Sequence, residues 1–280
     1  MHPNESTPQN CNVEYTKLET ASFKTPLSVA YEYCKQATPT NNEAPVLMAL
    51  HGLGSDMLGG KIELAKAWTI ENNYGFSRFD YPGHGQSQGE MVDFTISQAL
   101  DAALHLIDHI IKKPMVLMGS STGGWLALLL AQARPNKIKG FVTIANACDF
   151  TEDLYWQAFS QKQREDITRK GFYEKKFPDG FGFKLGLTLF EDGKNHLLFD
   201  GRSPKSHKGK GLADITCPAR LLHGTADDAV PWPTSVRVAK ELGGENVEVR
   251  LIPHADHRFS EDFNKKTLIR AIADVYQDIS

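Results

Sequence analysis

The chain has 280 residues, 41% of them hydrophobic, and a formal net charge of -3. That length allows one large core or at most two domains. The charge gives no sign of a phosphate-binding surface, and no Lys/Arg cluster stands out, so nucleic acid is excluded as a partner. No apolar run approaches the ~20 residues that a membrane span needs. Four cysteines (Cys11, Cys34, Cys148, Cys217) are scattered without CxxC spacing and read as reduced thiols of an intracellular protein. The N-terminal stretch "MHPNESTPQNCNVEY" has neither an apolar signal core nor the arginines of a transit peptide, so a cytoplasmic location is expected.

In chain order, "VEYTKLE" and "LSVAYEYC" read as two strands, a hairpin at a sheet edge. "APVLMAL" is a continuous apolar strand, followed by a glycine-rich turn and a helix through "KIELAKAWTIE". "GFSRFDY" is the next strand, then the turn "PGHGQSQG" and an amphipathic helix through "ISQALDAALHLIDHII". "PMVLMG" with "WLALLLAQA" makes a third strand–helix unit, and "IKGFVTIA" another strand. Strands without alternation, separated by helices, predict a parallel sheet covered on both faces. The rhythm breaks after Phe150 in a stretch of aromatics, lysines and glycines, and a departure of this length is expected to be a lid, bounded at 151–213 within a single domain spanning 1–280. It resumes with strand "PARLLHG", helix "TSVRVAKEL", strand "NVEVRLI" and a closing helix from about Glu261 to Asp278.

In an open parallel sheet, ligands bind beyond the carboxyl ends of the strands. The loops there are "HGLGSD", "GHGQSQG", "GSSTGG", "HGTADDAVP" and "PHADHRF", which supply Ser, Asp and His in that order. A nucleophile on a tight strand-to-helix turn needs glycine two residues to either side. Gly119 and Gly123 flank Ser121 in this way, whereas Ser120 would have Met118 and Thr122. Ser121 is therefore the candidate nucleophile.

A serine hydroxyl needs a base, and the base needs an acid to orient it. His254 and His257 follow the last strand, and His257, nearer the closing helix, is the expected base. Asp227 or Asp228 is the acid; both follow a strand directly. The backbone N–H groups of Leu53 and Thr122 are the candidate oxyanion donors. Aromatic residues of the insertion (Trp156, Phe159, Phe172, Phe181, Phe183), with Trp125 and Trp232 at the rim, are expected to line an acyl site or to pack the insertion onto the core. "GHGQSQG" misses the dinucleotide pattern by one residue and is read as a turn shaping the site's rim. No metal or cofactor is required.

The elbow, the HG loop and the order Ser, Asp, His resemble the α/β-hydrolase superfamily from about residue 15 onward. More narrowly, "RFDYPGHGQSQG", "GSSTGGWLAL", "ARPNK", "CPARLLHGTADDAVPWPTS" and "DHR" resemble its palmitoyl-protein thioesterase and acyl-glucuronide esterase group, α/β-hydrolase domain protein ten and its bacterial relatives. That resemblance implies an α/β-hydrolase fold with a mostly parallel sheet of about eight strands and a lid after the sixth. It places the nucleophile on Ser121, the acid on Asp227 and the base on His257. The implied activity is hydrolysis of an ester or thioester on a small-molecule or acylated substrate. Peptide or amide hydrolysis on the same triad, and a catalytically silent ligand-binding member, are the alternatives.

Overall fold

A computed structural model describes residues 11–23, 25–37, 44–176, 182–199, 202 and 211–279. Its main sheet has eight strands: β1 (Val13–Leu18), β2 (Leu27–Cys34), β3 (Val46–Leu50), β4 (Phe76–Phe79), β5 (Met115–Ser120), β6 (Ile138–Ile144), β9 (Ala219–Gly224) and β10 (Val247–Ile252). They lie in the order β1-β2-β4-β3-β5-β6-β9-β10. β1 pairs with β2, and β2 with β4, antiparallel. All the other pairings are parallel. This is the expected α/β-hydrolase architecture.

Alternate residues of the central strands serve two cores. On β3, Val46, Met48 and Leu50 pack on one face, and Leu47 and Ala49 on the other. β5 divides likewise, with Met115 and Leu117 against Val116 and Met118. Both faces are dry, which is why these strands read as unbroken apolar runs. Helices α2 (Ile96–His105) and α3 (Thr122–Ala133) cover the first face. Helices α1 (Gly60–Glu71) and α7 (Asp262–Asp278) cover the second, where Leu268, Ala271, Ile272 and Val275 form a stripe at helical spacing. Fully burying each such aliphatic side chain stabilises the fold by ~1.5–3 kcal/mol. Thr95 starts α2 with a capping box to Gln98, which satisfies two otherwise orphaned backbone donors.

One cysteine expectation is corrected. Cys11 and Cys34 form a disulfide, while Cys148 and Cys217 are free. The hairpin register explains it: Val13 lies opposite Glu32, so two residues outward Cys11 meets Cys34. Their Cα atoms are 5.3 Å apart, within ordinary disulfide reach.

Between β6 and β9 the chain leaves the sheet. A π turn (Thr151–Trp156) leads to α4 (Gln161–Lys170), then to the antiparallel hairpin of β7 (Phe172–Lys176) and β8 (Gly182–Gly186), and to α5 (Leu187–Gly193). Asp149 ties the two ends of this segment together. Its carboxylate accepts hydrogen bonds from the Leu198 and Phe199 amides at 2.8 and 3.0 Å and from Arg202 at 2.9 Å. Burial outweighs these partners and pushes the Asp149 carboxyl up to about 6. α6 (Pro233–Glu241) follows β9.

Candidate active site

Ser121 sits between β5 and α3 with φ 55° and ψ -115°. A non-glycine residue at positive φ is strained and persists only where its surroundings over-determine it. Here they do. A Cβ at Gly119 would lie 2.2 Å from the Gly123 carbonyl oxygen, and one at Gly123 would lie 2.2 Å from the Leu50 carbonyl oxygen. Both glycines are thus required by close backbone approach, as the spacing in the sequence implies.

His257 lies in the loop after β10, and its Nδ1–H donates to Asp227 Oδ2 at 2.8 Å. With Nδ1 committed to a carboxylate, Nε2 is the free nitrogen of the neutral ring. Asp227 Oδ1 accepts the Ala229 and Val230 amides at 2.9 and 2.8 Å. Its Oδ2 also lies 3.2 Å from His223 Nε2. Burial alone would raise this carboxyl, but the bonds from His223, His257 and Val230 hold it well below the usual carboxylate range. The alternatives are placed differently, with Asp228 in the wall of a cavity that Ser121 and His257 also line. Asp228 is exposed, and His254 is exposed with its backbone N–H donating to Thr225 Oγ1 at 3.0 Å.

Two cavities, of about 530 and 420 Å³, both include Ser121, His257, Leu53 and Phe183 in their walls. The smaller one runs under the inserted segment, against Phe150, Leu154 and Tyr155, and includes Thr122. The larger runs toward α1 and the loop after β10.

The HG loop is held from behind by two histidine rings. His51 Nδ1–H donates to the Gly52 carbonyl at 2.8 Å, and its Nε2 accepts the Tyr81 amide at 3.2 Å. Complete burial, with His84 nearby, pushes the His51 imidazole down to about 3. The peptide between Gly52 and Leu53 is planar and trans, so the Leu53 N–H points away from the carbonyl that His51 grips. His84 Nε2 accepts the Gly54 amide at 3.2 Å. The "GHGQSQG" turn was expected to shape the rim. Instead it braces the HG loop, and neither cavity includes His84 in its walls.

The aromatic residues are placed differently from expectation. Trp125 is fully buried, donates from Nε1 to the His196 carbonyl at 3.2 Å and meets Phe150 edge-on; it belongs to the core, not the rim. Trp156 and Phe159 pack on Phe190 inside the inserted segment, with centroids 5.7 and 5.8 Å away. Trp232 is exposed ahead of α6, and none of these four lines either cavity. Phe181 lies outside the described residues. Tyr155, Leu154 and Phe150 supply the apolar wall instead, together with Phe183 from the expected set. Sequence reading also gave no role to His223, although it heads the quoted stretch "HGTADDAVP"; it reaches Asp227 through the turn after β9.

A family model described as serine aminopeptidase, S33, matches residues 41–177. The chain is 31% identical to mouse (Mus musculus) mitochondrial palmitoyl-protein thioesterase ABHD10 over 257 residues, 90% of this chain and 80% of that one. It is 30% identical to the Homo sapiens protein over 240 residues, covering 85% and 75% of the two chains. Among solved structures, a putative hydrolase from Agrobacterium vitis S4 superposes with a TM-score of 0.84 at 28% identity, covering 95% of this chain and 99% of that one. Mouse alpha/beta hydrolase domain-containing protein 10 superposes with a TM-score of 0.78 at 29% identity, covering 95% and 100%. Among the described residues, no helix is long and apolar enough to cross a membrane.

Proposed function

The chain belongs to the α/β-hydrolases, in the family of the ABHD10 palmitoyl-protein thioesterases, and is an ester or thioester hydrolase; from that premise we propose that Ser121, His257 and Asp227 act together on long-chain acyl thioesters. The observation that carries this reading is the 2.8 Å bond from His257 to Asp227 in a ring that shares both cavities with the strained Ser121. His257 takes the Ser121 proton as Oγ attacks the acyl carbonyl, and Asp227 stabilises the imidazolium. The Leu53 and Thr122 N–H groups receive the oxyanion, and the His51 grip on Gly52 keeps the first of them aimed. The C–S bond then breaks, His257 returns its proton to the leaving thiolate, and water activated by the same ring releases the acid.

The acyl chain lies along Phe150, Leu154 and Tyr155, beneath the inserted segment acting as a lid. That apolar wall favours a long chain over acetyl. The test is turnover of octanoyl thioester beside an aminoacyl amide and an acetyl ester. Dominant octanoyl turnover that disappears in Ser121→Ala supports the proposal, whereas dominant amide turnover replaces it with a peptidase.

A further inference from the structure

The larger cavity has a charge pattern that the triad does not use. Lys61 from α1, Arg258 from the loop after β10 and Lys265 from α7 all line it, and no carboxylate does. Lys61 is far in sequence from Arg258 and Lys265, so the overall charge of -3 hides their convergence. The same cavity includes Ser121 and His257 in its walls. Around it, Lys61 Nζ donates to the Arg258 carbonyl, Lys265 lies 3.3 Å from the exposed Asp262, and Asp256 spends Oδ1 on the Phe259 amide. Burial pushes the Lys61 ammonium down to about 8, although Asp256 and Asp227 pull it upward. A cation this desolvated gains most from an added anion.

Both cavities have apolar walls, here Leu53, Ile62, Met118 and Phe183. The smaller one, however, sets the carboxylate of Asp228 beside Lys175 and Lys176, whereas this one presents cations alone and is the better match for an anionic departing half of the substrate. We propose that it receives a thiol leaving group whose neutral stem ends in a phosphate, as in acylated 4′-phosphopantetheine and coenzyme A, with Lys61, Arg258 and Lys265 as the phosphate partners. The inference rests on the thioesterase reading above. As a monoester the 4′-phosphate presents three acceptor oxygens and close to two charges, and the diphosphate of coenzyme A presents two charges over four such oxygens; either matches three cations drawn from three elements better than a single carboxylate does. The reaction itself is unchanged: the C–S bond breaks and the phosphorylated thiol leaves with the His257 proton.

The experiment compares octanoyl-pantetheine, octanoyl-4′-phosphopantetheine and octanoyl-coenzyme A, which share the acyl chain and thioester and differ in the phosphate-bearing end. In the intact protein at low salt, kcat/KM is expected to rise about tenfold from the first to the second. A further rise with the third would assign the anion to coenzyme A, and a plateau to the 4′-phosphate that carrier proteins also bear. The ratio should fall several-fold in Lys61→Met and in the exposed-site variant Arg258→Met, while Lys240→Met on α6 leaves it unchanged. Equal rates for all three esters, or a ratio indifferent to both variants, overturns the phosphate subsite while leaving the hydrolase intact. Failure to hydrolyse any of the three refutes the thioesterase reading and the subsite with it.

Discussion

His223 Nε2 lies 3.2 Å from Asp227 Oδ2, the same oxygen that receives the His257 Nδ1–H. His223 is buried, and its Nε2 also lies 3.0 Å from the Val230 carbonyl, while its Nδ1 lies 2.7 Å from the Ser235 hydroxyl. Two acceptors around Nε2 require that it carry the proton, and Nδ1 then accepts from Ser235. Asp227 is thus oriented by a second histidine before it orients the first.

Removing that carboxylate should be far more damaging than removing its neighbour. Asp227→Asn is expected to lower kcat by ~10⁴, because the amide favours the wrong His257 tautomer. Asp228→Asn, at an exposed position, should cost less than tenfold. Steady-state kinetics on the folded variants decide it, and the reverse order of severity would move the acid to Asp228.

The acyl wall predicts a chain-length series. Each CH₂ buried against Leu154 and Tyr155 contributes up to ~0.8 kcal/mol, roughly fourfold in kcat/KM while the pocket fills. Activity should climb from acetyl to at least octanoyl, and Leu154→Ala with Tyr155→Ala should flatten the climb while sparing acetyl. A series that declines steadily from acetyl would contradict this assignment.

Trp125 should behave as a core residue. Trp125→Ala is expected to cost ~3–5 kcal/mol of stability, measured by urea unfolding, with an unchanged chain-length preference. A shift in preference without loss of stability would return Trp125 to the substrate.

His51 makes a prediction about acid. Its folded-state value of about 3 lies below the ordinary 6.5, so between them the unfolded chain binds a proton that the folded chain does not. Stability from this group is therefore complete above pH 6.5 and declines by about 1.4 kcal/mol per pH unit below it. Urea midpoints from pH 7 to 5 should fall more steeply for the native protein than for His51→Gln, which cannot titrate. Parallel slopes would show that His51 is not held neutral.

Much of the site was legible because its constraints are local. The Gly119–Ser121–Gly123 spacing expresses close backbone approach at one strand-to-helix turn, and Asp227 and His257 lie in the short loops that follow β9 and β10. Trp125 misled because Thr122–Ala131 is buried on every side, so α3 carries no polar face from which to phase a side chain. The Cys11–Cys34 bridge depends on a hairpin register that no motif announces. Phe183 and Tyr155 reach the cavity from β8 and from a π turn, inside a segment without periodicity, where packing alone decides which aromatic faces inward.

The most direct test is peptide mapping by mass spectrometry after reaction with a fluorophosphonate. The adduct should fall on Ser121, remain on Ser121 in Ser120→Ala, and be absent from Ser121→Ala together with a ~10⁶ loss of kcat. Labelling at Ser120, or undiminished hydrolysis by Ser121→Ala, would contradict the assignment of Ser121 as the nucleophile.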